Sequence, residues 1–514
     1  MANPPHKIRR AIFLALVLLS LAVRLPQLGV RPMHTDESVN AYIVGELLSG
    51  KAFHYDPRDR HGPALAALAL PLAELQGAKN FSELTESELR LSTVLAGAAT
   101  VFLFGAGVEM FGFAACFIAA LLFAFAPLPV YYNRYFIHES LFVAATLGLI
   151  CSGWRALEKK SLLQSALAGL CAALMLACKE TAPLHYFAMA IALFVCWIFK
   201  KQKTLSWNKL LSGFPPLKMI SAALAVFLFV TILLFTWFGR NWGVFADLYH
   251  AISNFTARAG GEGHQKPFWY YAKLLCDGWS GGIILAVTVL GIFYSFGKNR
   301  ECSGAPVVSN QNSKRGERSV CRIFLAIYAI AIFVIYSAIP YKTPWLALNF
   351  WLPIPLLVGI AIEWFWIANQ KIFRRLIVLL VLVELMFSIA RDTRLRVFVG
   401  PADEKNPYAY AHTLEDLLGL PKRIEELVRQ RNLSDPRIAV VAADPWPLPW
   451  YLRKFSQVGF WQPGQETGPA DFFITTTDVS DKLAERLKTF RPEFFGVRPE
   501  VLLILWTPET QRKP

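Results

Sequence analysis

Residues 63–78 read PALAALALPLAELQGA, and whether this run crosses a membrane decides how the whole chain is threaded. It is 16 residues long, with Pro63 at its start, Pro71 inside it and Glu74 near its end. A helix needs about 20 apolar residues to span a bilayer, so this run is expected to stay on one side. The surrounding composition sets the class. The chain has 514 residues, 55% of them hydrophobic and only 17% charged, with a mean hydropathy of +0.39. A soluble protein would be nearer a quarter charged. Repeated apolar runs of about 18 residues or more make this an all-α polytopic membrane protein.

Twelve apolar segments can be drawn: 8–28, 63–78, 91–109, 113–131, 138–154, 161–178, 183–199, 217–238, 280–297, 323–339, 344–367 and 373–390. Lys and Arg in short loops orient them. The basic connections are Arg155/Lys159/Lys160, Lys200/Lys201/Lys203/Lys209, Lys298 to Arg322 and Lys371/Arg374/Arg375. These are assigned to the cytoplasm, which absorbs much of the +15 net charge and argues against a nucleic-acid partner. The KIRR start of the first segment also lies inside, and no small-residue cleavage site follows it, so it reads as a retained helix. Tracing back from Arg155 puts the connection before residue 91 outside, as does the first helix for residue 31. Both hold only if 63–78 does not cross. The expectation is therefore eleven transmembrane helices, a cytoplasmic N-terminus and one external loop over 29–90 within a membrane domain of residues 1–390.

Residues 391–514 read as a small extracytoplasmic α/β domain. Helices are expected in Tyr408–Arg431, broken at Gly419 and Pro421, with strands at 436–444, 471–477 and 501–506 and a helix at about 479–489. It shows no glycine-rich phosphate loop. The eight cysteines form no CxxC pair, and most lie in or beside apolar runs as small fillers. A flexible cytoplasmic linker is expected at 298–319.

The stretch leading into 63–78, RPMHTDESVNAYIVGELLSGKAFHYDPRDRHGP (31–63), is crowded with ionisable groups. Val39, Ile43, Val44, Leu47 and Leu48 mark a short interfacial helix ending at Gly50, with Asp36 at its N-cap position and Glu37 in its first turn. Further unusual groups stand at outer junctions: Arg134, His138 and Glu139; Lys179 and Glu180; Tyr341, Lys342 and Trp345. The long external loop at 239–279 adds Arg240, His250, Arg258, His264 and Lys266. Glu363 and Glu384 lie inside spans, where carboxylates are expensive and can mark a proton path. Carboxylates with Lys and Arg at an outer bilayer surface suit a lipid-linked phosphate donor. The cations would steady the leaving phosphate and a carboxylate would take the proton of an incoming hydroxyl, which together amount to glycosyl transfer.

At HTDES (34–38), YDPRDRHGP (55–63), VYYNRYFIHES (130–140), CKET (178–181), PYKTPWL (340–346) and DPWPLPWYLR (444–453) the chain resembles membrane glycosyltransferases of the GT-C class. Broad relatives are the PMT/ArnT-like enzymes of glycosyltransferase family 39. The bacterial and archaeal flippase-activity-associated proteins look closest. The resemblance implies a GT-C fold, a polyprenyl-phosphate-linked sugar as donor, and a lipid, glycan or protein acceptor at the periplasmic face of the bacterial inner membrane. It implies Asp36 as the base of the first external loop with Glu37 beside it, and neither cofactor nor metal. His61 stands in a His-Gly-Pro where relatives often carry His-Pro-Pro or Lys-Pro-Pro, implying donor contact. Glu139 replaces an Asp that relatives often carry near the acceptor. Arg134, Lys179, Glu180, Tyr341 and Lys342 complete the expected substrate-binding set. Two other readings compete. A non-enzymatic flippase-associated or lipid-linked-sugar transport component would need polar groups through the depth of the bundle. An oligosaccharyltransferase would need a WWD-type sequon reader, which the tail lacks.

Overall fold

The computed structural model describes residues 4–56, 60–201, 216–250, 264–297, 309–368, 372–480 and 483–509. Pro57, Arg58, Asp59, Lys203, Lys209, Arg258, Cys302 and the rest of 298–308 lie outside the described residues. The chain forms two compact units. The first comprises Met1–Pro26, Ala52–Leu68 and Arg90–Val399; the second comprises Gln27–Lys51, Ala69–Leu89 and Gly400–Pro514.

The first ten helices, in chain order, are α1 (His6–Arg24), α2 (Thr35–Leu48), α3 (Ala64–Leu75), α4 (Glu86–Ala106) and α5 (Val108–Phe111), then α6 (Phe113–Phe125), α7 (Pro127–Tyr132), α8 (Glu139–Lys159), α9 (Leu162–Cys178) and α10 (Ala182–Lys201). Among the described residues six helices are long and apolar enough to cross a bilayer: Glu86–Ala106, Glu139–Lys159, Ala182–Phe199, Leu217–Phe235, Gly278–Phe296 and Arg318–Ala338. The pair Pro344–Trp351 and Pro353–Ile367, bent by 44°, makes a seventh if it is one span. The sequence reading counts eleven because it also draws α1, the helix Ile372–Thr393 and two shorter elements as spans. Those two are α6, broken from α7 before Pro127, and α9, of 13 and 17 residues. The run at 63–78 forms α3, a 12-residue helix about 18 Å long at 1.5 Å per residue. The linker expected at 298–319 is helical from Ser309 onward, continuing into the apolar helix that ends at Ala338.

Small residues let the helices of the first unit approach closely, which is how helices pack where lipid is as apolar as leucine. A Cβ on Gly291 would stand 2.1 Å from the Leu357 carbonyl oxygen, so the helices Gly278–Phe296 and Pro353–Ala368 meet backbone to backbone. The two carboxylates on apolar helices both have partners: Glu363 pairs with Arg322 at 2.9 Å, and Glu384, exposed on the helix Ile372–Thr393, accepts from the Ser388 hydroxyl at 3.2 Å.

The second unit carries a five-stranded sheet, β1 (Arg437–Val441), β2 (Gln457–Trp461), β3 (Phe472–Thr476), β4 (Phe490–Arg498) and β5 (Val501–Pro508), in the order β2-β1-β3-β5-β4. β1 runs parallel to β2 and β3, while β5 is antiparallel to β3 and β4. Two expectations are corrected. A 3-10 turn, Glu415–Leu418, gives way at Gly419 to the helix Gly419–Gln430, so a boundary stands at Gly419, whereas Pro421 falls in the first turn, where proline needs no amide partner, and breaks nothing. The helix expected at 479–489 reduces to the short turns Thr477–Ser480 and Ala484–Leu487 before β4 begins.

The DPWPLPWYLR segment packs, inside this same unit, against α2 and residues 81–86. Trp450 donates to Glu86 at 2.8 Å, Arg453 lies 3.7 Å from the Trp450 ring centroid and donates to the Leu84 carbonyl, and Tyr42 meets Trp446 edge to face.

Candidate active site

In the second unit, α2 opens with a capping box. His34 is the N-cap: its Nδ1 accepts from the Asp36 amide at 3.1 Å, and the Glu37 carboxylate accepts from the His34 amide at 3.2 Å. The cap assigned to Asp36 is therefore corrected, and the reason is chemical. A neutral imidazole offers one acceptor nitrogen, which does the work of an Asp or Ser oxygen. Its Nε2 must then carry the proton, and it donates to the Tyr410 carbonyl at 3.1 Å. Burial lowers the His34 pKa; Asp36 and Glu37 pull it back, and Arg31 adds to the lowering. Glu37 is fully buried and also faces Arg31 at 3.6 Å. Asp36, half-buried, has no side-chain partner among the described residues. Of the two expected catalytic carboxylates, Glu37 thus builds the helix start, and Asp36 acts on the His34 ring through its charge.

The first unit gathers the next set. Gly62 lies so close to the end of α9 that a Cβ there would stand 2.2 Å from the Ala177 carbonyl oxygen. This brings His61 beside CKET: His61 Nδ1 and Glu180 Oε2 are 2.9 Å apart, and the Tyr55 hydroxyl donates to Glu180 Oε1 at 2.9 Å. Burial pushes the Glu180 carboxyl up, but His61, the backbone and Tyr55 more than offset it, and the pKa falls to about 2. Lys179, at the C-cap of α9, pairs with Glu139 in the first turn of α8, both buried. His138 donates Nε2–H to the Gly62 carbonyl at 3.3 Å, and its ring meets that of His61 edge to face at 5.2 Å. Burial, with His61 and Lys179 adding, holds the His138 pKa well below the ordinary imidazole value, so it stays neutral. Tyr55, His61, His138, Glu139, Lys179 and Glu180 thus form one cluster across three segments of chain.

The turn that carries His138 and Glu139 is held by Asn133, which sequence reasoning missed. Asn133 donates to Ser140 at 2.8 Å and accepts from the Arg24 guanidinium at 3.0 and 3.1 Å. Arg134 turns back onto α1, donating to the carbonyls of Arg24 and Pro26 at 2.5 and 2.6 Å, and stacks over Phe398. Such carbonyls at a helix C-terminus favour a cation. Tyr341 and Lys342 belong to a short bridge with residues 264–266, where Gln265 pairs with Tyr341. The buried Lys342 ammonium donates to the carbonyls of Lys266 and Ile339, and desolvation lowers its pKa. Each expected phosphate-binding cation, Arg134, Lys179 and Lys342, thus has protein partners. Among the described residues no group of three or more His, Cys, Asp or Glu is arranged to hold a metal ion.

A second polar network escaped the sequence altogether. His185 on α10 places its two ring nitrogens 2.8 Å from the Tyr328 hydroxyl and 3.2 Å from the Tyr336 hydroxyl, all buried. The signal was a lone histidine inside an apolar run, which periodicity treats as core.

With this geometry in hand, the fold can be compared with solved proteins. ArnT from Cupriavidus metallidurans, bound to undecaprenyl phosphate, superposes over 96% of this chain and 97% of its own, with a TM-score of 0.62 at 15% identity. The chain has an ArnT-like GT-C fold. The apo form of the same ArnT gives a TM-score of 0.61 at 16% identity, over 96% of this chain and 97% of that one. The archaeal oligosaccharyltransferase AglB from Archaeoglobus fulgidus, solved with an inhibitory peptide and a dolichol-phosphate, gives 0.55 at 12% identity, over 98% of this chain and 76% of AglB. No protein-family model matches the chain, and no curated protein matches it. The ArnT-like fold agrees with the sequence-level resemblance and with a multi-span membrane protein.

Proposed function

We propose that the chain is a membrane glycosyltransferase that moves a sugar from a polyprenyl-phosphate-linked donor to a lipid, glycan or protein acceptor at the periplasmic face. It is of the kind known as flippase-activity-associated proteins. Residues 1–390, with eleven crossings, make the transferase domain, and residues 391–514 the periplasmic α/β domain. The N-terminus lies in the cytoplasm of a bacterium, below the inner membrane.

The observation that carries this reading is the end-to-end likeness to an ArnT that binds undecaprenyl phosphate. The chemistry of the chain's own residues supports it. Asp36 is held on a capped helix end and its carboxylate accepts no side-chain hydrogen bond among the described residues, which leaves it able to take a proton as a general base must. His61 contacts the donor, and Glu180, with Tyr55, orients it. Lys179 and Glu139 hold the junction beside it, and Arg134, Tyr341 and Lys342 shape the outer surface on which donor and acceptor are bound. Glu37 positions Asp36 through the capping box.

In membranes carrying the protein, Asp36→Ala and Asp36→Asn both abolish sugar transfer while membrane insertion is retained. Asn keeps the size and the helix but cannot take a proton at neutral pH. Normal transfer by Asp36→Asn membranes would overturn the base assignment.

A further inference from the structure

His61 differs from Lys179 and His138, the basic side chains clustered with it. Lys179 is neutralised by Glu139, and His138 is buried, neutral and committed to the Gly62 carbonyl. His61 has its Nδ1 on Glu180, is about a third exposed, and has no partner for Nε2 among the described residues. The ionised Glu180 can only accept, so the His61 Nδ1 always carries a proton. That leaves Nε2 as the nitrogen that gains or loses one. A carboxylate that fixes the tautomer of an imidazole, with the far nitrogen open, is the arrangement of a proton-transfer group.

Resting on the transferase reading above, we propose that His61 is the general acid of the reaction and that Glu180 and Tyr55 are its positioning residues. The acceptor oxygen bonds to the anomeric carbon, and its proton goes to the assigned base. The bond from the anomeric carbon to the phosphate oxygen breaks, and its electron pair stays on that oxygen. Protonated His61 donates Nε2–H to the departing phosphate, which leaves as hydrogen polyprenyl phosphate. His61 is left neutral with Nδ1–H still on Glu180, and both groups reset with solvent. A lysine at this position would hold the phosphate at any physiological pH. A histidine ties the step to pH, because imidazole is the side chain that changes charge between about pH 5 and 8. Among the described residues, the charged and titratable groups against His61 are Glu180, which meets its Nδ1, and His138, whose ring packs on it; Tyr55 shares the Glu180 carboxylate, and Lys179 acts on His138.

The test is undecaprenyl phosphate binding to the purified full-length protein from pH 5.5 to 8.5, for wild type, His61→Lys and Glu180→Gln. The free lipid's own titration is common to all three forms, so it cancels in ratios of Kd. The wild-type Kd relative to His61→Lys is expected to rise about tenfold across this range, the size of one charge-assisted hydrogen bond lost. In Glu180→Gln the pH dependence of that ratio should change, because an amide no longer fixes the proton on Nδ1. A merely structural role for Glu180 would weaken binding equally at every pH. A pH-independent ratio between wild type and His61→Lys, with the lipid bound by both, overturns the general acid and leaves the donor assignment standing. Failure of every form to bind the lipid at any pH overturns both.

Discussion

A methyl group at position 62 would sit 2.2 Å from the Ala177 carbonyl oxygen, a backbone atom that cannot rotate aside. Gly62→Ala must therefore push the His61 segment away from the end of α9, and overpacking of this kind costs about 1–3 kcal/mol. The separation falls on the His61–Glu180 pair, so the variant should lose more activity than its lowered melting temperature explains. Activity near wild type at a temperature where the variant is fully folded would contradict this. Glu180 gives a second residue-scale prediction, with a definite sign. Its folded pKa of about 2 lies below the ordinary value of 4.5, so the unfolded chain binds the extra proton first. Its stabilising contribution is complete above about pH 4.5 and is lost as pH falls toward 2. Acid melting curves of wild type should therefore drop more steeply over this interval than those of Glu180→Gln; parallel curves would deny the ion pair its role. None of this could be read from spacing. HGP and CKET stand out as motifs, but the partners Tyr55–Glu180 and His61–Glu180 are 125 and 119 residues apart, and only the folded chain pairs them.

Elements were legible where one local rule dominates. Val39, Ile43, Val44 and Leu47 at helical spacing mark α2 correctly, and Gly50 ends it with φ of +84°. The cap was misread because histidine is outside the usual set of N-cap residues. The strands missed were β2 and β4, the two sheet edges. β4, FRPEFFGVR, carries Pro492 and both signs of charge, which suits an edge strand and hides it from a pattern built on alternation. The His34 cap predicts a pH response. Its pKa is lowered by burial, so the folded state binds fewer protons than the unfolded state does near pH 6.5. The cap is intact above that range and is lost as pH falls below it, when Nδ1 gains a proton and turns from acceptor to donor. Amides in the first turn of α2 should exchange faster on acidification, after correction for intrinsic rates. His34→Asn, which keeps a side-chain acceptor, should lack this response, whereas His34→Ala should cost about 1 kcal/mol at all pH values. Equal acid sensitivity in His34→Asn would sink the capping account.

At the scale of the whole molecule, the chain's order and its packing disagree in an instructive way. Apolar periodicity separates 1–390 from 391–514, because it registers lipid-facing helices and nothing else. Side-chain hydrogen bonds join Gln27–Lys51 and Ala69–Leu89 to the C-terminal sheet as one compact unit. The stitching is specific. The Met33 amide donates to the Tyr451 hydroxyl at 2.7 Å, the Thr413 hydroxyl donates to the Met33 carbonyl at 2.7 Å, and His34 reaches Tyr410. Met33 is fully buried, so removing a partner there costs about 1–3 kcal/mol. The helix that carries Asp36 is thus stabilised from 380 residues away. In hydrogen exchange on the full-length protein, α2 should open together with β1 and β3 and not with α8 or α9. Tyr451→Phe should raise exchange in α2 and in the 410–413 segment while leaving the helices of the first unit unchanged, and sugar transfer should fall with it, because Asp36, the base proposed above, loses its fixed position. If α2 instead exchanges with α8 and α9, and Tyr451→Phe leaves it as protected as before, then α2 owes its order to the helices of the first unit and the role given to DPWPLPWYLR is wrong.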